Sequence, residues 1–227
     1  MRYSQWFLFV AAVFVTCLIV ANIIAVKLID VFGLILPAAV IVFPISYIVG
    51  DVLTEVYGYA ASRRVIWLGF FCNLIAVAAV WLGGLLPPAS FWQGQDAYEA
   101  ILGFAPRLLL ASFIAYLIGE FANSLVLAKM KVATNGRWLW LRTIGSTLVG
   151  QGLDSAIFIS IAFAGVIPFD ALTSAIVTQW LFKVAYEVMA TPLTYVVVNR
   201  LKRAENLDVY DRGTDFNPLK MTERTTG

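Results

Sequence analysis

Six long apolar runs divide the chain, and the polar residues inside them recur at helical spacing. A helix needs about 20 mostly apolar residues to cross ~30 Å of hydrocarbon. The runs cover roughly residues 6–26, 34–55, 65–86, 108–128, 143–166 and 172–199, with Pro87-Pro88 ending the third. They predict an all-α membrane protein, a bundle of six transmembrane helices. The second run predicts a helix that is polar in its later half. In it Tyr47, Asp51 and Glu55 stand four residues apart and share one face. The same spacing aligns Ser112, Tyr116, Glu120 and Asn123 in the fourth run. Thr147, Gln151, Asp154 and Ser155 mark the fifth, and Gln179, Lys183, Glu187 and Thr191 the sixth. The first run adds Asn22 and the third Asn73.

Composition agrees with a bundle in lipid. Of 227 residues, 61% are hydrophobic and 13% charged, against about 25% charged in soluble domains. Residues 1–204 read as one transmembrane domain. Residues 205–227 read as a polar, partly disordered cytoplasmic tail. Basic residues sort by loop. Arg63 and Arg64 follow the second run, Lys129, Lys131, Arg137 and Arg142 follow the fourth, and Arg200, Lys202 and Arg203 follow the sixth. The alternate loops hold Lys27 near Asp30, then Arg107, then Asp170 without a cation. Cytoplasmic loops collect Lys and Arg, so both termini are expected inside. The outer connection 87–107, with Phe91, Trp92 and Tyr98, suits a short helix at the membrane interface.

Several chemistries are excluded. The chain has no histidine, which removes zincin-type metal sites and Ser-His-Asp triads. Cys17 and Cys72 lie in apolar runs and read as small hydrophobes. No metal, cofactor or catalytic residue is assigned, and the chain is not read as an enzyme. The cations are spread through loops, so nucleic acid is not expected as a partner. The first run lacks a basic n-region and a cleavage site, and is read as a span.

The functional signal is the set of acids that cannot face lipid. Ionisable groups at mid-membrane depth turn toward a bundle interior or a watery cavity. Asp51, Glu55, Glu120, Asp154 and Glu187 face Lys183 as the one clear intramembrane base, with Lys27 and Arg142 read as snorkelling near span ends. Lys183 and Glu187 at i, i+4 are expected either to neutralise each other or to serve transport. A surplus of buried acids must be protonated, hydrated, or waiting for a cation or a hydrogen-bond donor. That is the condition of a small-solute transporter. Carboxylates, carboxamides and aromatic rings suit a flat, donor-rich heterocycle. A carboxylate accepts two hydrogen bonds from an amidine-like edge, and Tyr47, Tyr116 or Tyr186 would stack on its face.

The blocks Ala21–Lys27, Phe43–Tyr59, Ser112–Asn123 and Arg142–Thr147, then Gln151, Asp154-Ser155, Lys183 and Thr191-Pro192, resemble the queuosine precursor transporter family, also called the vitamin uptake transporter family. The resemblance runs to about Asp211. It implies a bacterial inner-membrane importer of 7-cyano-7-deazaguanine and 7-aminomethyl-7-deazaguanine, precursors of the tRNA nucleoside queuosine. It places Asp51, Glu55, Glu120, Asn123, Gln151, Asp154 and Lys183 at matching positions. Substrate contacts are therefore expected from Asn22, Tyr47, Asp51, Tyr116, Glu120, Asn123, Gln151 and Asp154. Proton coupling or a charge network is expected from Glu55, Lys183 and Glu187. Association as a homodimer is left open.

Three rival readings stand beside this one. One is a substrate-binding subunit of an energy-coupling-factor importer, docked through Ala21-x-x-x-Ala25 and Ala111-x-x-x-Ala115. Another is an intramembrane aspartyl enzyme using Asp51 and Asp154. The third is a structural or assembly protein, which leaves the buried acids unexplained. Ala21-Asn22 echoes Ala122-Asn123, and Asp51 echoes Asp154. Those echoes raise an inverted three-helix repeat with the site between its halves.

Overall fold

The computed structural model describes residues 4–31, 34–103 and 106–220. The elements run α1 Gln5–Ile24, β1 Leu28–Val31, β2 Leu34–Pro37, a 3-10 turn Ala38–Ile41, α2 Phe43–Tyr57, α3 Tyr59–Leu85, α4 Gln95–Leu102, α5 Pro106–Ala133, α6 Leu139–Phe163 and α7 Phe169–Glu205. Among the described residues, five helical stretches are long and apolar enough to cross a membrane: α1, α3, the one ending in α5, α6 and α7. Large apolar side chains point outward from them, among them Phe9, Ile75, Trp81, Leu181 and Met189. An apolar exterior on helices whose backbone bonds are satisfied internally is what hydrocarbon requires.

The second apolar run differs from the expected continuous helix. Its first eight residues form β2 and the 3-10 turn, and the helix begins only at Phe43. Two prolines explain this. Pro37 lacks the N–H that a helix interior needs, and Pro44 occupies the first turn of α2, the one helical place where proline is favoured. β2 pairs antiparallel with β1, with Leu28 opposite Pro37. The remaining helix has 15 residues and is about 22 Å long, too short to span alone.

α2 and α3 meet at a single residue. Gly58 has φ 82° and ψ 168°, a conformation open in practice only to glycine. α3 therefore starts six residues before the predicted third span, and Arg63 lies within its first turns instead of in a loop. At the other end α4 folds back on α3, where the Tyr98 hydroxyl donates to the Val80 carbonyl at 2.7 Å. α7 has 37 residues, about 55 Å of helix, and carries Lys202 and Arg203 beyond the apolar stretch. It continues through Pro192, beside which the Thr191 hydroxyl donates to the Glu187 carbonyl at 2.8 Å.

Phe7, Phe14, Val52, Leu53 and Val198 belong to one buried cluster that joins α1, α2 and α7. The segment after α7 is not the loose tail that its polarity suggested. Residues 207–220 run back across the ends of α2, α3 and α5 and make specific contacts there. The tail's polar groups find helix-end donors and buried cations, and Phe216 packs on Tyr59 with ring centroids 5.0 Å apart. Residues 221–227 lie outside the described residues.

Candidate functional site

The site is built around the close seam of α5 and α6. A Cβ added at Gly150 would lie 2.6 Å from the Cβ of Asn123 and 2.8 Å from the Gly119 carbonyl oxygen. One added at Gly119 would lie 2.8 Å from the Cβ of Asp154. The two glycines let the backbones touch, and each stands four residues before a polar site residue. We expect Gly150→Ala to destabilise the protein by roughly 1–3 kcal/mol through overpacking, read as a lowered Tm in detergent. Gly84→Ala, whose added Cβ meets Tyr98 at an ordinary 3.5 Å, should leave Tm unchanged.

On one side of this seam lies a group of acceptors. Asn123 donates its amide to Asp51 Oδ1 at 2.8 Å. Asp51 and Glu187 are each 1% exposed, Gln151 4% and Asn123 5%. Yet among the described residues Asp51 Oδ2, Asn123 Oδ1, Gln151 Oε1 and Glu187 Oε1 receive no hydrogen bond, and the Ser155 hydroxyl also finds no partner there. Glu187, Glu120 and Glu55 are like-charged neighbours of Asp51. Buried acceptors of this kind cost free energy until a donor arrives.

The second group contains the amine. Lys183 pairs with Asp154, not with Glu187 one turn along α7. Its Nζ lies 6.0 Å from the centre of the Tyr47 ring, which itself stacks on Phe43 at 6.1 Å. Glu120 lies opposite Gly50, where an added Cβ would be 3.4 Å from Glu120 Oε2. No ion pair to Asp51, Glu120 or Glu187 occurs among the described residues. The surplus of acids is thus real, but its membership differs from the expected one.

Glu55 leaves that surplus. Arg142 donates from Nη2 to Glu55 Oε1 at 2.8 Å and from Nε to Oε2 at 3.2 Å. Lys202 reaches Glu55 Oε1 at 2.7 Å, and Lys131 lies 3.7 Å from the same oxygen. Arg142 and Lys131 are each 1% exposed, so neither snorkels to water. Apolar flanking residues hid this in the sequence. A cation one turn inside a helix reads as a span end until its partner is known. Asp208 closes the network, 2.5 Å from Lys131 and 2.9 Å from Lys202. Burial alone would raise its pKa, but hydrogen bonds from those two lysines outweigh this and hold it below the usual carboxylate range.

Two expected contacts serve the scaffold. The Asn22 amide donates to Asn73 Oδ1 at 2.9 Å and ties α1 to α3. The Tyr116 hydroxyl donates to the Ile66 carbonyl at 3.0 Å and ties α5 to α3. Thr54, Ser62 and Ser124 form a further polar knot, with hydroxyls 2.7 and 3.1 Å apart. Single serines and threonines in apolar helices carry no signal of their own. Asp51 and Asp154 have different partners, Asn123 and Lys183, and so do not form a proton-sharing pair. Ala111 and Ala115 are 0% and 1% exposed. They pack inside the bundle and offer no face to another helix.

Comparison with known proteins agrees with this arrangement. A family model described as "Putative vitamin uptake transporter" matches residues 37–197. A Bacillus subtilis (strain 168) protein named "Probable queuosine precursor transporter" is 34% identical over 187 residues, 82% of this chain and 81% of that one. The "Queuosine precursor transporter" of Escherichia coli (strain K12) is 30% identical over 121 residues, 53% of this chain and 52% of its own. A "Probable queuosine precursor transporter" of Haemophilus influenzae is 26% identical over 121 residues, 53% of this chain and 49% of its own. No solved structure matches the chain. The matched region holds Tyr47, Asp51, Glu55, Glu120, Asn123, Gln151, Asp154, Lys183 and Glu187. The chain therefore belongs to the vitamin uptake transporter family, and it is a multi-pass membrane transporter, not an enzyme.

Proposed function

We propose that this protein imports 7-cyano-7-deazaguanine and 7-aminomethyl-7-deazaguanine across a bacterial inner membrane for the queuosine modification of tRNA. The observation that carries the reading is the set of buried, unpartnered acceptors Asp51 Oδ2, Asn123 Oδ1, Gln151 Oε1 and Glu187 Oε1. A guanine-like edge presents the matching groups, an N1–H and a 2-amino group side by side. A carboxylate accepts both at once. Asp51 takes that edge in this reading. Gln151 and Glu120 complete the hydrogen bonds, and the Tyr47 ring, already stacked on Phe43, flanks the heterocycle. The names of the relatives support the same substrate class.

The topology in this reading has six passes. α2 completes its pass with the β1–β2 hairpin and the 3-10 turn, and both termini are cytoplasmic, where Lys and Arg accumulate. Broken spans of this kind occur at transporter substrate sites, where irregular backbone lines a cavity. The halves α1–α3 and α5–α7 form the inverted repeat, with α4 as the link. Coupling to the proton gradient passes to Asp51 and Glu187, because Glu55 is neutralised by Arg142, Lys131 and Lys202. The burial of Ala111 and Ala115 weighs against docking to an energy-coupling module.

The test uses cells unable to synthesise the precursors. Each deazaguanine is supplied at low concentration and tRNA is assayed for queuosine. Queuosine should appear only when this chain is expressed. Its absence in expressing cells, with the protein present in the membrane, would contradict the reading. In proteoliposomes an inward proton gradient should speed uptake, and equal rates with and without it would remove the coupling.

A further inference from the structure

We infer that residues 207–220 form a strap that locks α2, α3 and α5 together at one end of the bundle, and that the strap must be released before α2 can move against α5. The contacts follow one after another along the segment. The Val209 amide donates to the Val56 carbonyl at 3.3 Å. Lys131 holds the strap from below, donating to Asp208 at 2.5 Å and to the Val209 carbonyl at 2.6 Å while also donating to the Glu55 carbonyl at 2.5 Å. Asp211, 5% exposed, accepts the Tyr59 amide with both oxygens, at 3.1 and 3.0 Å. It thereby caps the exposed donors at the start of α3. The Tyr59 hydroxyl donates to the Phe216 carbonyl at 3.0 Å. Arg63 donates to the Asp215 and Asn217 carbonyls, both at 2.8 Å. Trp67 Nε1 reaches the Pro218 carbonyl at 2.8 Å. From Tyr59 to Trp67 the strap follows about 12 Å of α3.

Two features make this a lock and not a folded tail alone. The strap is fastened to the residues that hold the helices together at this end. Lys131 on α5 and Lys202 on α7 both bridge Asp208 and Glu55, so the strap and α2 share the same cations. Beneath it, the Thr54–Ser62–Ser124 knot joins α2, α3 and α5 and is buried to 0–2% exposure. α2 carries Asp51 one turn further in. Motion of α2 relative to α5, which alternating access requires, must break the Lys131 bridge or carry the strap with it. Most strap contacts go to backbone carbonyls, and Asp208 is half-exposed. Such contacts open locally at lower cost than the buried Arg142–Glu55 pair. Asp208 titrates below the usual carboxylate range. Asp208 is therefore ionised at neutral pH, and protons loosen its bridges only as pH falls through that lowered value.

The inference rests on the chain carrying a solute across the membrane, not on which solute. Its test needs no substrate and so fails independently of the substrate assignment. Ser62→Cys is introduced in a Cys17→Ser, Cys72→Ser background. Alkylation by a membrane-impermeant maleimide is timed from the side bearing the C-terminus. Two variants are compared with the intact chain, one ending at Asn206 and one carrying Asp208→Asn with Asp211→Asn. Each should label at least ~10-fold faster, as local opening becomes easier. Equal labelling in a folded variant overturns the strap. Failure of both variants to accumulate also overturns it, because the segment is then part of the permanent scaffold.

Discussion

Replacing Glu55 with glutamine should prevent the protein from accumulating in the membrane, or leave it unfolding at a much lower temperature. Glu55 is 0% exposed and receives Arg142, Lys202 and Lys131. Removing one partner of a buried ion pair costs roughly 3–5 kcal/mol, because the charge left behind has neither water nor counter-ion. Here the nearly inaccessible Arg142 loses its carboxylate, while Lys131 and Lys202 keep Asp208. Arg142→Met should be as damaging, since it strands Glu55 between two lysines that cannot match the guanidinium's two-point contact. The double variant Glu55→Gln, Arg142→Met removes charge from both sides and should recover part of the loss. Thermal unfolding in detergent reads all three. Normal stability of Glu55→Gln would mean that the network carries no structural weight.

This network also shows where the sequence was legible. Apolar runs located α1, α3, α5, α6 and α7, because twenty apolar residues have few alternatives to crossing a bilayer. The second run misled because hydropathy ignores backbone chemistry. Pro37 and Pro44 were visible, and the steric rule for proline predicts a break between them. Helical spacing correctly placed Asp51, Glu120, Gln151 and Asp154 on inward faces. It did not reveal which acid meets which cation, since Arg142 and Glu55 are 87 positions apart. Lys183 shows the same limit: its i+4 neighbour is Glu187, yet it crosses to Asp154 on α6. The strap was hidden for another reason. Its residues are polar because they bond to helix ends and cations, and composition does not separate that from solvated disorder.

The second large effect concerns Asp51. Asp51→Asn keeps the shape of the side chain and should leave Tm close to that of the unmodified protein. It replaces the unpartnered Oδ2 with an amide or forces Asn123 to turn, so the double-acceptor edge is lost. Truncating or neutralising one member of a buried charge-assisted pair costs 2–5 kcal/mol in binding. Uptake of either deazaguanine at low concentration should therefore fall about 100-fold or more. Asn22→Ala breaks only the bond to Asn73 and should leave substrate affinity unchanged. The contrast separates residues that bind solute from residues that bind helices. Unchanged uptake in Asp51→Asn at normal protein levels would remove Asp51 from the site.

In this reading buried acceptors around Asp51 await a donor-bearing heterocycle, and calorimetric titration of the purified protein is the decisive test. Two ligands are compared, 7-cyano-7-deazaguanine and the same ring without its 2-amino group. A site built to receive that donor rejects the analogue, because a buried carboxylate oxygen stays unpaired. The intact ligand should bind, and the analogue should bind at least ~100-fold more weakly. Equal affinity for the two would contradict it.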